Sequence, residues 1–164
     1  MPLAEKHLDA TFTWVNDPAM MRLLGRAARV ESDEHRRWFD QLRQRTDCRY
    51  FSVETTDGGA HVGNIWLWDI HIADRKAEVR VLFGDDAARG RGYGSEAIRL
   101  LTDLAFDGMN LHRLYAFVLA FNPHAKRAFE KAGFRSEGVL RQDRRVGNEF
   151  VDVYLLARLA SDVG

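Results

Sequence analysis

Hydrophobic positions recur with two different periods along this chain, and the switches between them mark out its elements. Near the start, Leu8, Phe12 and Val15 share one face at helical spacing until Asn16-Asp17-Pro18 interrupts the run. A short apolar cluster follows at Met20 to Leu24. Ser32 has the character of an N-cap, with Asp33 and Glu34 placed to complement a helix dipole and Trp38, Phe39 and Leu42 forming an apolar stripe. This pattern predicts a second helix over Asp33 to Arg45. From Arg49 the period falls to two: Tyr50, Phe51 and Val53 predict a strand, Asp57-Gly58-Gly59 a turn, and His61 to Ile70 a returning strand.

The run Ala77 to Phe83 predicts a third strand, ending at Gly84. A glycine-rich loop then feeds an amphipathic helix over Ser95 to Asn110, with Ile98, Leu101, Leu104 and Ala105 on its apolar side. A strand over Arg113 to Leu119 is followed by a helix from Pro123, a residue favoured in the first turn, to Ala132, with Gly133 as its stop. Gly138 to Arg144, Val146-Gly147-Asn148 and Glu149 to Ala157 make a final hairpin. No repeat or linker divides this α/β pattern, so a single domain over residues 1–164 is expected. A chain of this size buries roughly 70% of its unfolded surface, enough for one core.

Composition narrows the partners. The 24 basic side chains balance 24 acidic ones, so no net field draws nucleic acid or an anionic membrane, and an anionic ligand must be held by a local device. Cys48 is the single cysteine, which rules out an internal disulfide. With neither a signal segment nor an apolar run of spanning length, a cytoplasmic protein without a membrane partner is expected. The six histidines are scattered without close ligand pairs, so no metal is expected.

The local device is Arg89-Gly90-Arg91-Gly92-Tyr93-Gly94, between a strand and a helix. Glycines there let the backbone approach a pyrophosphate, and N–H groups at the helix start can hold it. An ordinary strand-to-helix turn would carry the same glycines. A Walker loop would require Gly-Lys-Ser/Thr, and a dinucleotide fingerprint would require Gly-x-Gly-x-x-Gly in an early βαβ unit; neither is present.

Arg89, Gly92 and Gly94 fit the Gln/Arg-x-x-Gly-x-Gly/Ala signature of the GNAT superfamily of acetyltransferases, which the chain resembles. A second anchor is Asn122-Pro123-His124-Ala125, opening a helix that ends in Gly133-Phe134, similar to that family's Asn-x-x-Ala helix and Gly-Phe step. The resemblance implies a GNAT fold: a central mixed, mostly antiparallel sheet with a V-shaped splay between its two middle parallel strands and helices on both faces. Only Met1-Pro2-Leu3 precede the first helix, so the family's first strand is expected to be absent or vestigial. An edge exposed by that absence would favour a homodimer.

The resemblance also implies acetyl-CoA as cosubstrate and a primary amine, a small molecule, as acceptor. Val81, Leu82 and Phe83 would pair with the pantetheine arm, Arg89, Gly90, Arg91, Gly92, Tyr93 and Gly94 would hold the pyrophosphate, and Phe129 would contact the cofactor. Asn122 would approach the pantetheine or acetyl end, although Asn is equally suited to a plain N-cap. Transfer requires a neutral amine and a proton for the departing thiolate. Glu78, on the strand that would carry the acetyl group, is the first candidate base, with an ion-paired strand residue as the alternative; His35 is the second. Phe129 stands where many relatives have a tyrosine, so Tyr154, Tyr115 or water is left to protonate the thiolate.

The acceptor must be read from the first helices. Trp14, Asn16 and Asp17, then Ser32, His35 and Trp38, resemble acetyltransferases that act on nucleotide-linked amino sugars, with Val15 in place of an arginine. Trp14, Asn16, His35 and Trp38 are the expected acceptor contacts. Gly133 to Gly138 equally resembles the ribosomal-protein alanine and spermidine branches. Arg22, Arg26, Arg29, Arg36 and Arg37 favour an acceptor bearing phosphate. An acyl-CoA-binding module without catalysis is the alternative of a different class.

Overall fold

The computed structural model describes residues 1–84 and 90–162. Arg49–Glu54 (β1), His61–His71 (β2) and Lys76–Phe83 (β3) pair in antiparallel succession. Arg113–Leu119 (β4) joins β3 in parallel, and the hairpin of Arg135–Val146 (β5) and Glu149–Leu159 (β6) docks on β4 through β6. The sheet order is therefore β1-β2-β3-β4-β6-β5. Leu8–Val15 (α1), Pro18–Leu23 (α2) and Ser32–Leu42 (α3) precede the sheet, while Tyr93–Asp103 (α4) and Pro123–Lys131 (α5) connect its later strands.

Strand alternation assigns the two faces. Ile65, Leu67, Val79, Leu114, Ala116 and Leu156 point to one side and form the main core with Ile98, Leu101 and Ala105 of α4 and Phe129 of α5. Tyr50, Asn64, Trp66, Trp68, Glu78, Arg80 and Leu82 lie opposite one another on the other side, by register. There α1 and α3 cover the sheet: the Asn64 amide donates to Thr11 Oγ1, and Trp38 meets Tyr50 edge to face. His7, at the start of α1, is pinned to β1 by a 2.7 Å contact of Nε2 with Glu54.

The central splay follows from the pairing. β3 and β4 share three pairs, Lys76↔Arg113, Ala77↔Leu114 and Glu78↔Tyr115, and then part. Beyond Glu78, β3 stays on β2 and β4 stays on β6, so sheet twist opens a wedge between them. A bulge in β2 around Asp69, at φ 51°, adds local twist beside it.

Several local expectations are refined. Asp17 caps α2 by accepting from the Met20 amide at 3.0 Å, with Pro18 at N1, so the apolar cluster after α1 is helical. The predicted Ser95 to Asn110 helix begins two residues earlier, at Tyr93, and is regular only to Asp103, after which Leu104–Gly108 widens into a π turn. Met1 to Leu3 run antiparallel to β1, Pro2 opposite Phe51, with Ser52 donating to the Met1 carbonyl at 2.8 Å and Leu3 to Tyr50 at 3.1 Å. Met1 to Leu3 thus add a short edge segment to the sheet. Among the described residues, no helix is long and apolar enough to cross a membrane.

Gly84, at the end of β3, lies flat against the indole of Trp14, and a methyl group at its Cα would overlap that ring. Gly84→Ala is therefore expected to push α1 off the sheet, at a cost of about 1–3 kcal/mol. The measurement is a denaturant midpoint; a midpoint equal to wild type would mean that Trp14 moves away freely.

Candidate active site

Two cavities meet at the splay. The first, of about 470 Å³, runs from Val81, Leu82 and Phe83 past Gly90 to Ser95 and along one side of α5, including Asn122, Ala125 and Arg127. Its upper end is set by backbone conformation: Gly90 and Gly92 have φ of +78° and +85°, the left-handed region that disfavours a Cβ. Gly92 forms the N-cap of α4, so the unpaired N–H groups of that helix start beside the cavity. Arg127, Lys131 and His124 add positive or neutral nitrogen groups from α5. Arg91 is exposed next to the cavity, and Arg89 lies outside the described residues.

At the lower end, the edge of β3 beyond Glu78 has no strand partner on the β4 side. That unpaired backbone can accept an extended ligand as an added strand. Asn122 does two things: Oδ1 caps α5 by accepting from the Ala125 amide at 3.2 Å, and the residue also lines the cavity. Phe129 is buried, edge to face with Phe134 at 5.1 Å, and borders the adjoining hollow between β3 and β4. It presents a hydrocarbon edge where a phenol would have offered a proton.

The second cavity, of about 290 Å³, lies beneath α3 on the other face of the sheet. Trp38, Tyr50, Trp66 and Trp68 line it, with His35, Arg26, Glu34 and Arg80. Tyr50 stacks on Trp66 at 4.4 Å and 15°, making a continuous aromatic floor. Leu82 and Arg80 border this cavity, and Leu24 and Leu82 also border the first, so the two lie against each other at β3.

The charged groups at that junction are paired. Glu78 is buried and accepts from both Nε and Nη2 of Arg80, each at 2.8 Å. The Arg80 guanidinium also stands 4.9 Å from the Trp68 ring centre. The geometry makes Glu78 the ion-paired strand residue, while its place beside the splay keeps it next to the reacting centre. His35 is buried as well, stacked on Trp38 at 5.1 Å and tilted against Phe12 at 5.4 Å. Burial pushes its pKa below the ordinary histidine value, and the nearby Arg26 and Arg36 act in the same direction.

Three expected site residues lie elsewhere. Trp14 packs on Gly84 and His61 (4.7 Å between ring centres) and does not line the cavity under α3, because its bulk fills the gap between α1 and the end of β3. Asn16 is buried with both ends of its amide on Val30, accepting from its N–H at 2.8 Å and donating to its C=O at 3.1 Å, which clamps the loop after α2. Tyr154 is on the α5 side of β6, with the Lys126 ammonium 5.3 Å from its ring centre, and borders neither cavity. Residue alternation places it on the core face with Val118, its partner in the β4 ladder. Tyr115, by contrast, sits opposite Glu78 at the foot of the splay. Arg80, Trp66 and Trp68 were not among the expected contacts; only the register of β2 on β3 reveals that they converge.

Residues 1–135 match the family model of the acetyltransferase (GNAT) domain. The chain belongs to the GNAT acetyltransferase family. A probable N-acetyltransferase of Bacillus subtilis, YjcK, is 33% identical over 134 residues, covering 81% of this chain and 74% of the relative. The spermidine N(1)-acetyltransferase of Vibrio cholerae is 30% identical over 105 residues, covering 64% of this chain and 60% of the relative. A crystal structure of the spermidine N-acetyltransferase from that organism, in complex with CoA and spermine, superposes with a TM-score of 0.91 at 24% identity, covering 99% of this chain and 95% of that one. Within the family the protein is an N-acetyltransferase with acetyl-CoA as cosubstrate and an amine as acceptor. Its GNAT fold, mixed sheet and splay agree with the fold expected from the sequence.

Proposed function

We propose that this N-acetyltransferase acts on the amine of a nucleotide-linked amino sugar, by direct attack in a ternary complex. The lining of the cavity under α3 carries the reading. Trp38, Tyr50, Trp66 and Trp68 offer faces on which a base or sugar ring can stack, and Arg26 and Arg80 offer cations for a diphosphate. A polyamine acceptor would need carboxylates for its ammonium groups. Among the lining residues Glu34 is the one acid, and the nearby Glu78 is engaged by Arg80.

The cofactor end is assigned to this chain's own groups. The residues present fit acetyl-CoA: unpaired β3 backbone for the pantetheine, left-handed glycines and the α4 start for the pyrophosphate, and Arg127 and Lys131 for phosphate charge. Bound there, acetyl-CoA supplies an activated thioester at the splay. Asn122 can contact its amides with Nδ2 while Oδ1 remains on the helix cap. With Phe129 in the tyrosine position and Tyr154 turned to the core, Tyr115 at the foot of the splay or water is left as the proton donor to the thiolate.

The second reading, a polyamine acceptor, is favoured by the identity with the Vibrio cholerae spermidine enzyme. A competition assay offering a UDP-linked amino sugar, spermidine and a short peptide together separates the readings. The sugar nucleotide is expected to be acetylated with the highest kcat/KM. Preferential acetylation of spermidine or the peptide would overturn the acceptor assignment and leave the acetyltransferase intact.

A further inference from the structure

Acetyl transfer to an amine needs a group that removes a proton from it, and the sequence offers two candidates, Glu78 and His35. Glu78 has the position, but its two oxygens both accept from Arg80 at 2.8 Å, which engages the lone pairs a base would use. Its geometry is that of a holder: it fixes the guanidinium of Arg80 at the edge of the cavity under α3, over the Trp68 ring.

His35 is held differently. Its Nε2 lies 3.2 Å from the carbonyl oxygen of Leu8, and a carbonyl can only accept, so Nε2 carries the hydrogen. The lone pair is therefore on Nδ1. The ring plane is fixed by stacking on Trp38 at 20° and by Phe12 on its other side. The imidazole borders the cavity under α3, which reaches Arg80 and Leu82 at the splay.

We propose that His35 is the general base of the reaction, accepting the amine's proton on Nδ1, and that Glu78 is a positioning residue for Arg80. The proposal rests on the cavity under α3 being the acceptor pocket. The step balances as follows: Nδ1 takes one proton from the bound ammonium, and the freed nitrogen lone pair forms a bond to the acetyl carbonyl carbon. The carbon–sulfur bond breaks with its electron pair on sulfur. The second nitrogen proton leaves through water to the thiolate, and the imidazolium returns its proton to solvent.

The surrounding charges agree with this role. Arg26 from the α2–α3 loop and Arg80 from β3 line the pocket with His35, together with Glu34 on α3 and the Tyr50 phenol on β1, while Arg36 on α3, ion-paired to Glu5, and Asp9 on α1 act on the imidazole from outside the pocket. Burial, with Arg26 and Arg36 acting in the same direction, favours the neutral imidazole, the form whose Nδ1 carries a lone pair.

His35→Gln provides the test, because a glutamine Nε2 can still donate to the Leu8 carbonyl while the acceptor nitrogen is lost. The kcat of the variant is expected to fall by ~10²–10⁴ at pH 7 with the KM for acetyl-CoA unchanged. The deficit should shrink as pH rises toward the amine's own pKa, where the free amine no longer needs a base. Activity within about threefold of wild type, or a loss equal at every pH, would assign His35 to packing alone. The profile is measured with whichever amine wild type acetylates best. If that amine is spermidine, the acceptor reading fails while the base assignment is still decided by the same profile.

Discussion

Replacing Gly92 with valine is expected to abolish acetyl-CoA binding in a protein that still folds. Gly92 has φ of +85° and ends the loop at the start of α4. A β-branched residue is strained in that region and would turn the peptide away, so the first N–H groups of α4 lose their aim at the pyrophosphate. Among the described residues, nothing lies within 4 Å of the position its Cβ would take, so the strain falls on the backbone and the core is untouched. In wild type, acetyl-CoA at a hundredfold excess over Kd adds about 2.7 kcal/mol and raises Tm. No Tm rise is expected for Gly92→Val under the same conditions, corresponding to at least a ~100-fold higher Kd. Gly94 offers a contrast, because an added Cβ there meets Ala128 and Phe83 at an ordinary 3.6 Å. Gly94→Ala should fold as wild type does and bind acetyl-CoA less tightly. A Gly92→Val protein with the wild-type Tm rise would reduce the loop to a turn.

The elements that carry the cofactor cleft were legible because their signals are local. Strand β4 was predicted with its observed bounds, Arg113 to Leu119, and α5 to within one residue, since a capping Asn-Pro and a terminal Gly133 at φ +88° are properties of neighbouring residues. The line from Val81 to Phe83 through Gly90 to Gly94 lies in one segment, so the motif and the cavity coincide. The acceptor side is assembled from six separate segments, α1, the α2–α3 loop, α3, β1, β2 and β3. Trp66 and Trp68 join Tyr50 and Arg80 only through the β1–β2–β3 register, which a sequence specifies but does not display.

The misplaced residues have a common physical cause. Trp14 and Asn16 lie in the same amino-terminal segment as the acceptor helices and carry the residue types of a binding site, yet each serves the chain that presents the pocket. Trp14 fills the space above Gly84, and Asn16 satisfies both backbone groups of buried Val30. Without the fold, a buried amide that closes a loop and one that binds a ligand look alike. Tyr154 failed for another reason: strand alternation sets its face, and its ladder partner Val118 belongs to the helix-covered core.

Arg80→Ala is the sharpest probe of the acceptor assignment, because Arg80 belongs to both the ion pair and the pocket. Its removal leaves the Glu78 carboxylate buried without its partner, a change that costs 3–5 kcal/mol for a fully buried pair. The Arg80 side chain is 40% exposed, so water replaces part of the lost interaction and a cost of roughly 1–3 kcal/mol is expected. A denaturant midpoint measures that part separately. On the acceptor, loss of one charge-assisted contact to phosphate is worth about 1.5–3 kcal/mol, or roughly 10–100-fold in kcat/KM for a sugar nucleotide, with KM for acetyl-CoA unchanged. Arg80→Lys keeps the charge without the planar fork and should fall between the two. With spermidine as acceptor the sign reverses: deleting a cation from the pocket should leave kcat/KM equal or higher, since an ammonium no longer faces a guanidinium across the aromatic floor. An equal fall for spermidine and the sugar nucleotide would mean that Arg80 only shapes the splay, and the anion-binding role would be withdrawn from it.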